Sequence, residues 1–215
     1  MTDATWIGLR MDAYDDALGP FWAAAIGGEL RPGELGAAEI VGPPGGGLVL
    51  EPASEPRSVK HRVHFDIYSR TLEELEARGA TRLEAFPRWT VMADPGGGEF
   101  CAFLREEPPA YRLHGIAVDC ADPVAIAAWW GERFGVEAHD NDGAGWHTLE
   151  GIPGNPVTTM DFATVPEAKS GRNRIRWDVR ADPDALVAAG ARVLGESAGG
   201  IELADPEGNE FLVVP

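Results

Sequence analysis

The sequence predicts an α+β protein made of four βαβββ modules arranged as two tandem domains. Three observations carry this reading. Residues 93–100, Ala-Asp-Pro-Gly-Gly-Gly-Glu-Phe, return at 204–211 as Ala-Asp-Pro-Glu-Gly-Asn-Glu-Phe, with six of eight positions identical at an offset of 111. Other segments keep the same register, with the offset drifting only from 108 to 112: 62–67 matches 174–179, Gly79-Ala80 matches Gly190-Ala191, and Phe21-Trp22 before Gly27 matches Trp129-Trp130 before Gly135. Finally, each copy runs twice through strand, helix and strands. Pro108-Pro109 marks the boundary, giving domains 1–108 and 109–215, each long enough for a core. A single βαβββ module cannot bury both faces of its small sheet, so the two modules of each domain are expected to pair into a curled, cup-shaped sheet.

In the first module, 5–11 reads as a strand. Residues 15–26 read as a helix, with Leu18, Phe21, Trp22, Ala25 and Ile26 at helical spacing and Gly27-Gly28 as its stop. Strands at 39–41 and 48–51 flank the Pro-Gly turn at 43–47. The second module has a strand at 62–68 and a helix at 71–78, where Thr71 and Glu74 form a capping box, followed by strands near 80–85, 89–93 and 99–104. The third has a strand at 112–119, a helix at 123–134 and strands near 146–150 and 157–162. The fourth has a strand at 174–180, a helix at 183–189 with Pro183 in its first turn, and strands near 191–195, 200–204 and 210–214.

Composition narrows the function classes. The 215 residues are 44% hydrophobic and 25% charged, and no apolar run approaches the roughly 18 residues that cross a bilayer. Met1-Thr2-Asp3-Ala4-Thr5 lacks the basic start and apolar core of a secretion signal, so a cytoplasmic location is expected. A net charge of −17 repels phosphates, which argues against nucleic acid and anionic membrane as partners. The expected partner is a small-molecule ligand, and the expected assembly a monomer or homodimer. Cys101 and Cys120 have no metal spacing and read as reduced core thiols. The triple-glycine runs at 45–47 and 96–98 lack a following helix with Lys and Ser/Thr, so they read as turns rather than phosphate cradles.

The segment Asp205-Pro206-Glu207-Gly208-Asn209-Glu210-Phe211, with Val165-Pro166-Glu167-Ala168-Lys169 leading into 173–179, resembles the glyoxalase-like domains of the vicinal oxygen chelate (VOC) superfamily. This superfamily includes glyoxalase I, extradiol dioxygenases, fosfomycin-modifying enzymes and bleomycin-binding proteins. The resemblance covers essentially the whole chain as two tandem domains. It implies a small-molecule pocket in each cup and, in the metal enzymes, a divalent ion held by His and Glu from the first and last strands of paired modules.

By that resemblance the ligand positions are poorly filled. Ile7 and Cys101 stand at the opening and closing positions of the first domain. His64 sits where a ligand belongs, with Glu51 as a candidate partner. In the second domain His114 matches the opening position, but Arg176 replaces the counterpart of His64 and Leu212 stands at the closing position. Arginine and leucine bind no metal. The expectation is therefore no assigned cofactor, with a divalent metal on His64 and Glu51 as the open alternative.

His64 and His114 are candidate bases. Asp66 and Asp178, shared by both copies, are structural or general bases. Arg176 binds an anionic ligand or pairs with an internal acid such as Asp161 or Asp178. Trp89, Trp146 and Trp177 are candidate cup walls. Glu99 and Glu210 read as braces of the turn before the last strand, with a ligand role for Glu99 left open. His61 is expected to face solvent, and His139 and His147 to lie at the surface in or beside the 140–143 loop. Two function classes follow: a glyoxalase-like lyase or isomerase, or a metal-free protein that binds or sequesters a drug-like, cationic compound.

Overall fold

The structure, a computed structural model, describes residues 4–33, 37–55, 59–141, 143, 145–197 and 199–215. Met1 to Asp3 of the amino-terminal stretch and Asp142 of the 140–143 loop lie outside the described residues. The first module comprises β1 (Ala4–Ala13), α1 (Leu18–Ile26), β2 (Glu29–Pro32), β3 (Ala38–Val41) and β4 (Leu48–Pro52). The second comprises β5 (Val63–Ser69), α2 (Leu72–Glu76), β6 (Thr81–Ala85), β7 (Thr90–Ala93) and β8 (Glu99–Leu104). The third runs through β9 (Leu113–Cys120), α3 (Pro123–Phe134), β10 (Ala138–Asp140), β11 (Trp146–Glu150) and β12 (Thr159–Thr164). The fourth closes the chain with β13 (Ile175–Ala181), α4 (Pro183–Ala188), β14 (Arg192–Ser197), β15 (Gly200–Ala204) and β16 (Glu210–Val214).

The modules form two curled eight-stranded sheets. One has the order β14-β15-β16-β13-β1-β4-β3-β2 and the other β10-β11-β12-β9-β5-β8-β7-β6. Each sheet thus joins a module of one half to a module of the other: first with fourth through antiparallel β1–β13, second with third through antiparallel β5–β9. The curled sheets are present, but the expected pairing of the two modules of each domain in one sheet is replaced by pairing across the domains, on which the repeat alone carries no information.

The helices pair the modules differently. On α1, Trp22 packs edge-on against Phe65 and Phe100 of the second module, with ring centroids 4.9 and 5.3 Å apart. On α3, Trp130 meets Trp177 and Phe211 of the fourth module at 5.3 and 4.9 Å. Both indoles also donate to a buried carboxylate in the repeated Asp-Pro turn, Trp22 Nε1 to Asp94 Oδ2 and Trp130 Nε1 to Asp205 Oδ2, each at 3.0 Å. Asp94 further accepts from the Gly98 N–H, and Asp205 from those of Glu207 and Asn209. Burial pushes the Asp205 carboxyl up to about 6, and these donors are what hold it that low. The residues that repeat are therefore the ones that bind each helix to the turn of the next module.

Helix ends follow local chemistry. Gly27 closes α1 in the left-handed region at φ 77°, where a side chain would also meet the Ala110 carbonyl 2.0 Å from its Cβ. The Asp15 carboxylate accepts from the Ala17 N–H at 2.8 Å, so 15–17 form a turn and α1 starts later than its apolar spacing suggests. Thr71 caps α2 by accepting from the Glu74 N–H at 3.3 Å. Strands β2 and β10, absent from the sequence reading, are short sheet edges with the sequences Glu-Leu-Arg-Pro and Ala-His-Asp, which carry no alternating apolar signal.

Trp22→Phe and Trp130→Phe keep an aromatic ring but leave a buried acid one donor short. Each is expected to lower the unfolding free energy by about 1–3 kcal/mol. Because the two sites share no partner, the double variant should lose close to the sum in urea denaturation.

Candidate functional site

The two cups have opposite chemistry. In the sheet of the first and fourth modules, Arg10 on β1 and Arg176 on β13 are register partners, and their neighbours Asp12, Glu51 and Asp178 are acids. Arg10 holds Asp178 in a fork, Nε to Oδ1 and Nη2 to Oδ2 both at 2.6 Å, and reaches Glu51 Oε1 through Nη1 at 2.5 Å. Arg176, 1% exposed, donates to Glu51 Oε2, to Asp12 at 2.9 Å and to the Asn173 carbonyl at 2.8 Å. Burial raises the Asp178 pKa, and Arg10 partly offsets it. The cup is wide, about 670 Å³, and Arg10, Arg176, Asp12, Glu51 and Asp178 in it are engaged with one another, with Arg176 Nε left buried and without a hydrogen-bond partner.

The partner of Arg176 is therefore neither Asp161 nor Asp178. Asp161 belongs to the other sheet, and both oxygens of Asp178 are taken by Arg10. The proposed His64–Glu51 pair is also not assembled, because consecutive strands β4 and β5 enter different sheets. Trp177, expected as a cup wall, is fully buried in the core. It lies between Arg176 and Asp178, so strand alternation turns it to the opposite face.

In the sheet of the second and third modules the cup is apolar and aromatic. Its cavity, about 330 Å³, is walled by Trp89 and Trp146, one from each half, with Phe103 beneath. The Arg88 guanidinium stands over both indoles, 5.9 Å from the Trp89 ring and 5.8 Å from the Trp146 ring. Five polar side chains reach the cavity from four central strands: Asp66 on β5, Cys101 on β8, His114 on β9, and Thr159 and Asp161 on β12.

These groups are held in unequal states. Both Asp161 oxygens accept hydrogen bonds, one from Thr148 and the other from Thr159 at 2.8 Å. Asp66 Oδ1, by contrast, is buried with no hydrogen-bond partner. Burial, reinforced by the charge of Asp161, pushes the Asp66 carboxyl up to about 7. Gly115, paired with Asp66 across β5–β9, makes this crowding possible: a Cβ there would lie 2.6 Å from Thr159 Oγ1 and 3.5 Å from Asp66 Oδ2. Burial also raises the Cys101 thiol well above its usual range, with Asp66 adding to the shift, so Cys101 stays protonated.

His114 occupies a β-bulge. The β5–β9 ladder passes from Asp66–Gly115 to Ile67–Leu113 and skips it, as the β1–β13 ladder skips Ile7 between Trp6 and Gly8. Bulges re-aim side chains. Here the imidazole stacks on Tyr68, with centroids 4.2 Å apart, meets Phe103 edge-on at 4.8 Å, and leaves Nε2 without a hydrogen-bond partner. Burial and then Arg105 lower its pKa to about 4, so the ring is neutral at physiological pH.

The remaining candidates lie outside the cavity. His64 Nε2 is tied to the His61 carbonyl at 2.6 Å, and burial lowers its pKa. His61 is buried rather than solvent-facing, because Gly98 leaves room for its ring. Glu99 accepts from the His61 N–H and Glu210 from the Asn173 N–H, at 3.1 and 3.0 Å, bracing the last strand of a module to the segment entering its first. His139 is exposed on β10 and His147 half-buried on β11. Arg10, Arg88 and Thr159 went unread in the sequence. A period-two run of charges, Arg10 then Asp12 on β1 against Arg176 then Asp178 on β13, is the signal that marks the charged cup.

A glyoxalase-like domain model matches residues 9–103 and 115–214. The chain belongs to this family, within the VOC superfamily. Glyoxalase I from Zea mays has a similar fold, with a TM-score of 0.71 at 12% identity over 98% of this chain and 92% of that one. The cppA protein from Streptococcus pneumoniae TIGR4 matches with a TM-score of 0.50 at 11% identity over 99% and 98%. No sequence among curated proteins matches the chain.

The divalent ion that the resemblance implies does not suit the donors present. In the charged cup the carboxylates are engaged by Arg10 and Arg176. In the aromatic cup Asp161 is engaged by two threonines, which leaves Asp66 Oδ1 and His114 Nε2 as the donors without a hydrogen-bond partner there. Among the described residues no three His, Cys, Asp or Glu side chains converge as a metal site.

The Asp66 environment makes a stability prediction. In the unfolded chain this carboxyl ionises near 3.8, whereas the folded protein holds its proton to about 7. Its contribution to stability is full below pH 4, declines between pH 4 and 7, and is flat above. Asp66→Asn removes the cost of a buried charge, so at pH 8 the variant should be more stable by on the order of 2–4 kcal/mol in urea titrations, with the gain shrinking toward pH 4.

Proposed function

We propose that the aromatic cup is the working site and that it carries out acid–base chemistry, of the isomerase or lyase type, on a small and largely apolar organic molecule bearing a carbonyl group. The observation that carries the reading is Asp66: a carboxyl with an unpartnered oxygen, at the base of an aromatic cavity, exchanging its proton near pH 7. A general base is most effective when its pKa lies near the working pH.

In the proposed step the Asp66 carboxylate takes a proton from the carbon beside the substrate carbonyl. The electron pair of the broken C–H bond forms a C=C bond while the carbonyl π pair moves onto its oxygen. Where that carbon carries a hydroxyl, the hydroxyl proton passes to the former carbonyl oxygen, a carbonyl forms in its place and Asp66 returns its proton to the former carbonyl carbon, so nothing is consumed. Neutral His114 hydrogen-bonds the substrate through Nε2, Trp89 and Trp146 supply apolar walls, and Asp161 keeps the Asp66 pKa high. The charged cup serves as scaffold.

The Arg88 guanidinium between two indoles at the cavity favours a second reading, a protein that binds or sequesters a planar compound without changing it. The two are separated by first screening aromatic and apolar carbonyl compounds for quenching of tryptophan fluorescence, then following each hit in D₂O by NMR. Catalysis predicts deuterium incorporation beside the carbonyl, with a rate rising through about pH 7 and reduced about 10²–10⁴-fold in Asp66→Asn while binding survives. Tight binding with no exchange would replace the first reading by the second.

A further inference from the structure

Beside the charged cup, with which it shares Asp12, Arg172 and Arg174, a cleft of about 310 Å³ opens where the halves meet. It is lined by Lys60, His61 and Arg62 from the segment entering β5, and by Arg172, Asn173 and Arg174 from the segment entering β13. The two triplets occupy the same positions of the repeat, 112 residues apart. The grip between the halves has the same symmetry. Arg62 Nη1 donates to the Glu167 carbonyl at 2.6 Å and Arg174 Nη2 to the Glu55 carbonyl at 2.8 Å, and Glu55 and Glu167 are again 112 apart. The cleft therefore lies on the pseudo-twofold relation between the halves, and each half supplies cations to it.

Its charge runs against that of the molecule. In a chain of net charge −17 the lining carries four cationic side chains and one carboxylate, Asp12. That carboxylate is already engaged by Arg176 at 2.9 Å. Lys60 pairs with Asp119 and Arg172 with Glu202, both acids outside the lining. Arg62 donates to two backbone carbonyls, those of Glu167 and Asp119, and among the described residues no carboxylate neutralises it. A concave site of excess positive charge on an acidic protein concentrates anions, and forked guanidiniums match the spacing of oxygens on phosphorus.

We propose that this cleft is a binding site for a phosphate group, free or carried as an ester on an organic molecule. Cations from both halves would close on one ligand, so occupancy would also clamp the two segments entering β5 and β13.

The test is isothermal calorimetry of the intact protein with inorganic pyrophosphate and with phenyl phosphate, against sodium chloride of equal ionic strength. The Lys60→Met/Arg172→Met double variant removes two half-exposed cations, and Arg62→Gln, checked for folding by circular dichroism, removes the third. Saturable one-to-one binding, weakened at least tenfold in the double variant, is the expected result. Tighter binding of phenyl phosphate would mark an ester ligand, and tighter binding of pyrophosphate the free ion. Heats no larger than the chloride control, or an affinity unchanged in the double variant, would overturn the proposal.

Discussion

The hydrogen bond from a buried helix tryptophan to a buried aspartate in the Asp-Pro turn, made once in each half, is the interaction on which the rest of the architecture rests. It fastens the helix of one module to the last hairpin of the next. Because Trp22 and Trp130 also fill the cores above β5/β8 and β13/β16, each half is held by its helices. Strand pairing then runs the other way, joining the first module to the fourth and the second to the third. The two sets of contacts interlock, and neither half completes a cup without the other.

That interlocking lets the cups diverge while the frame stays fixed. Each cup draws its central strands from both halves, so a residue change in one half alters one wall of one cup. In the first sheet, arginines at two central positions meet acids on neighbouring strands, and the polar groups consume one another. In the second, the central strands carry Asp66, Cys101, His114 and Asp161 with no arginine among them, and the cavity's cation, Arg88, stands over the two indoles. Like charges and burial then work together on Asp66, where in the first cup Arg10 opposes burial at Asp178, its repeat counterpart. One repeated aspartate has become an ion-pair anchor in one cup and a titrating acid in the other.

Much of this was legible in the residues. The repeat gave away the four modules, and the shared Asp-Pro-x-Gly-x-Glu-Phe segment proved to be turn and brace: its aspartate receives the indole, its glutamate the backbone N–H of the segment entering the first strand. Alternation put Asp66 and Asp178 on cup faces and would have excluded Trp177, which sits between two cup positions. What could not be read was which modules share a sheet, since that depends on β1 meeting β13 and β5 meeting β9 across long stretches of chain. Glu51 and His64 are near in sequence and lie in different sheets for that reason. The orientation of His114 depends on a bulge, a backbone event with no residue signature of its own.

Acid–base work in the aromatic cup requires one carboxyl, that of Asp66, to hold its proton to neutral pH. The most direct measurement is a carbon-13 NMR titration of aspartate side-chain carboxyls in isotopically labelled protein, wild type beside Asp66→Asn. A carboxyl resonance with a midpoint near 7, missing from the variant, is the predicted result. If instead every resonance that disappears in Asp66→Asn has already titrated by pH 5, Asp66 is an ordinary ionised aspartate and the acid–base reading of the aromatic cup is contradicted.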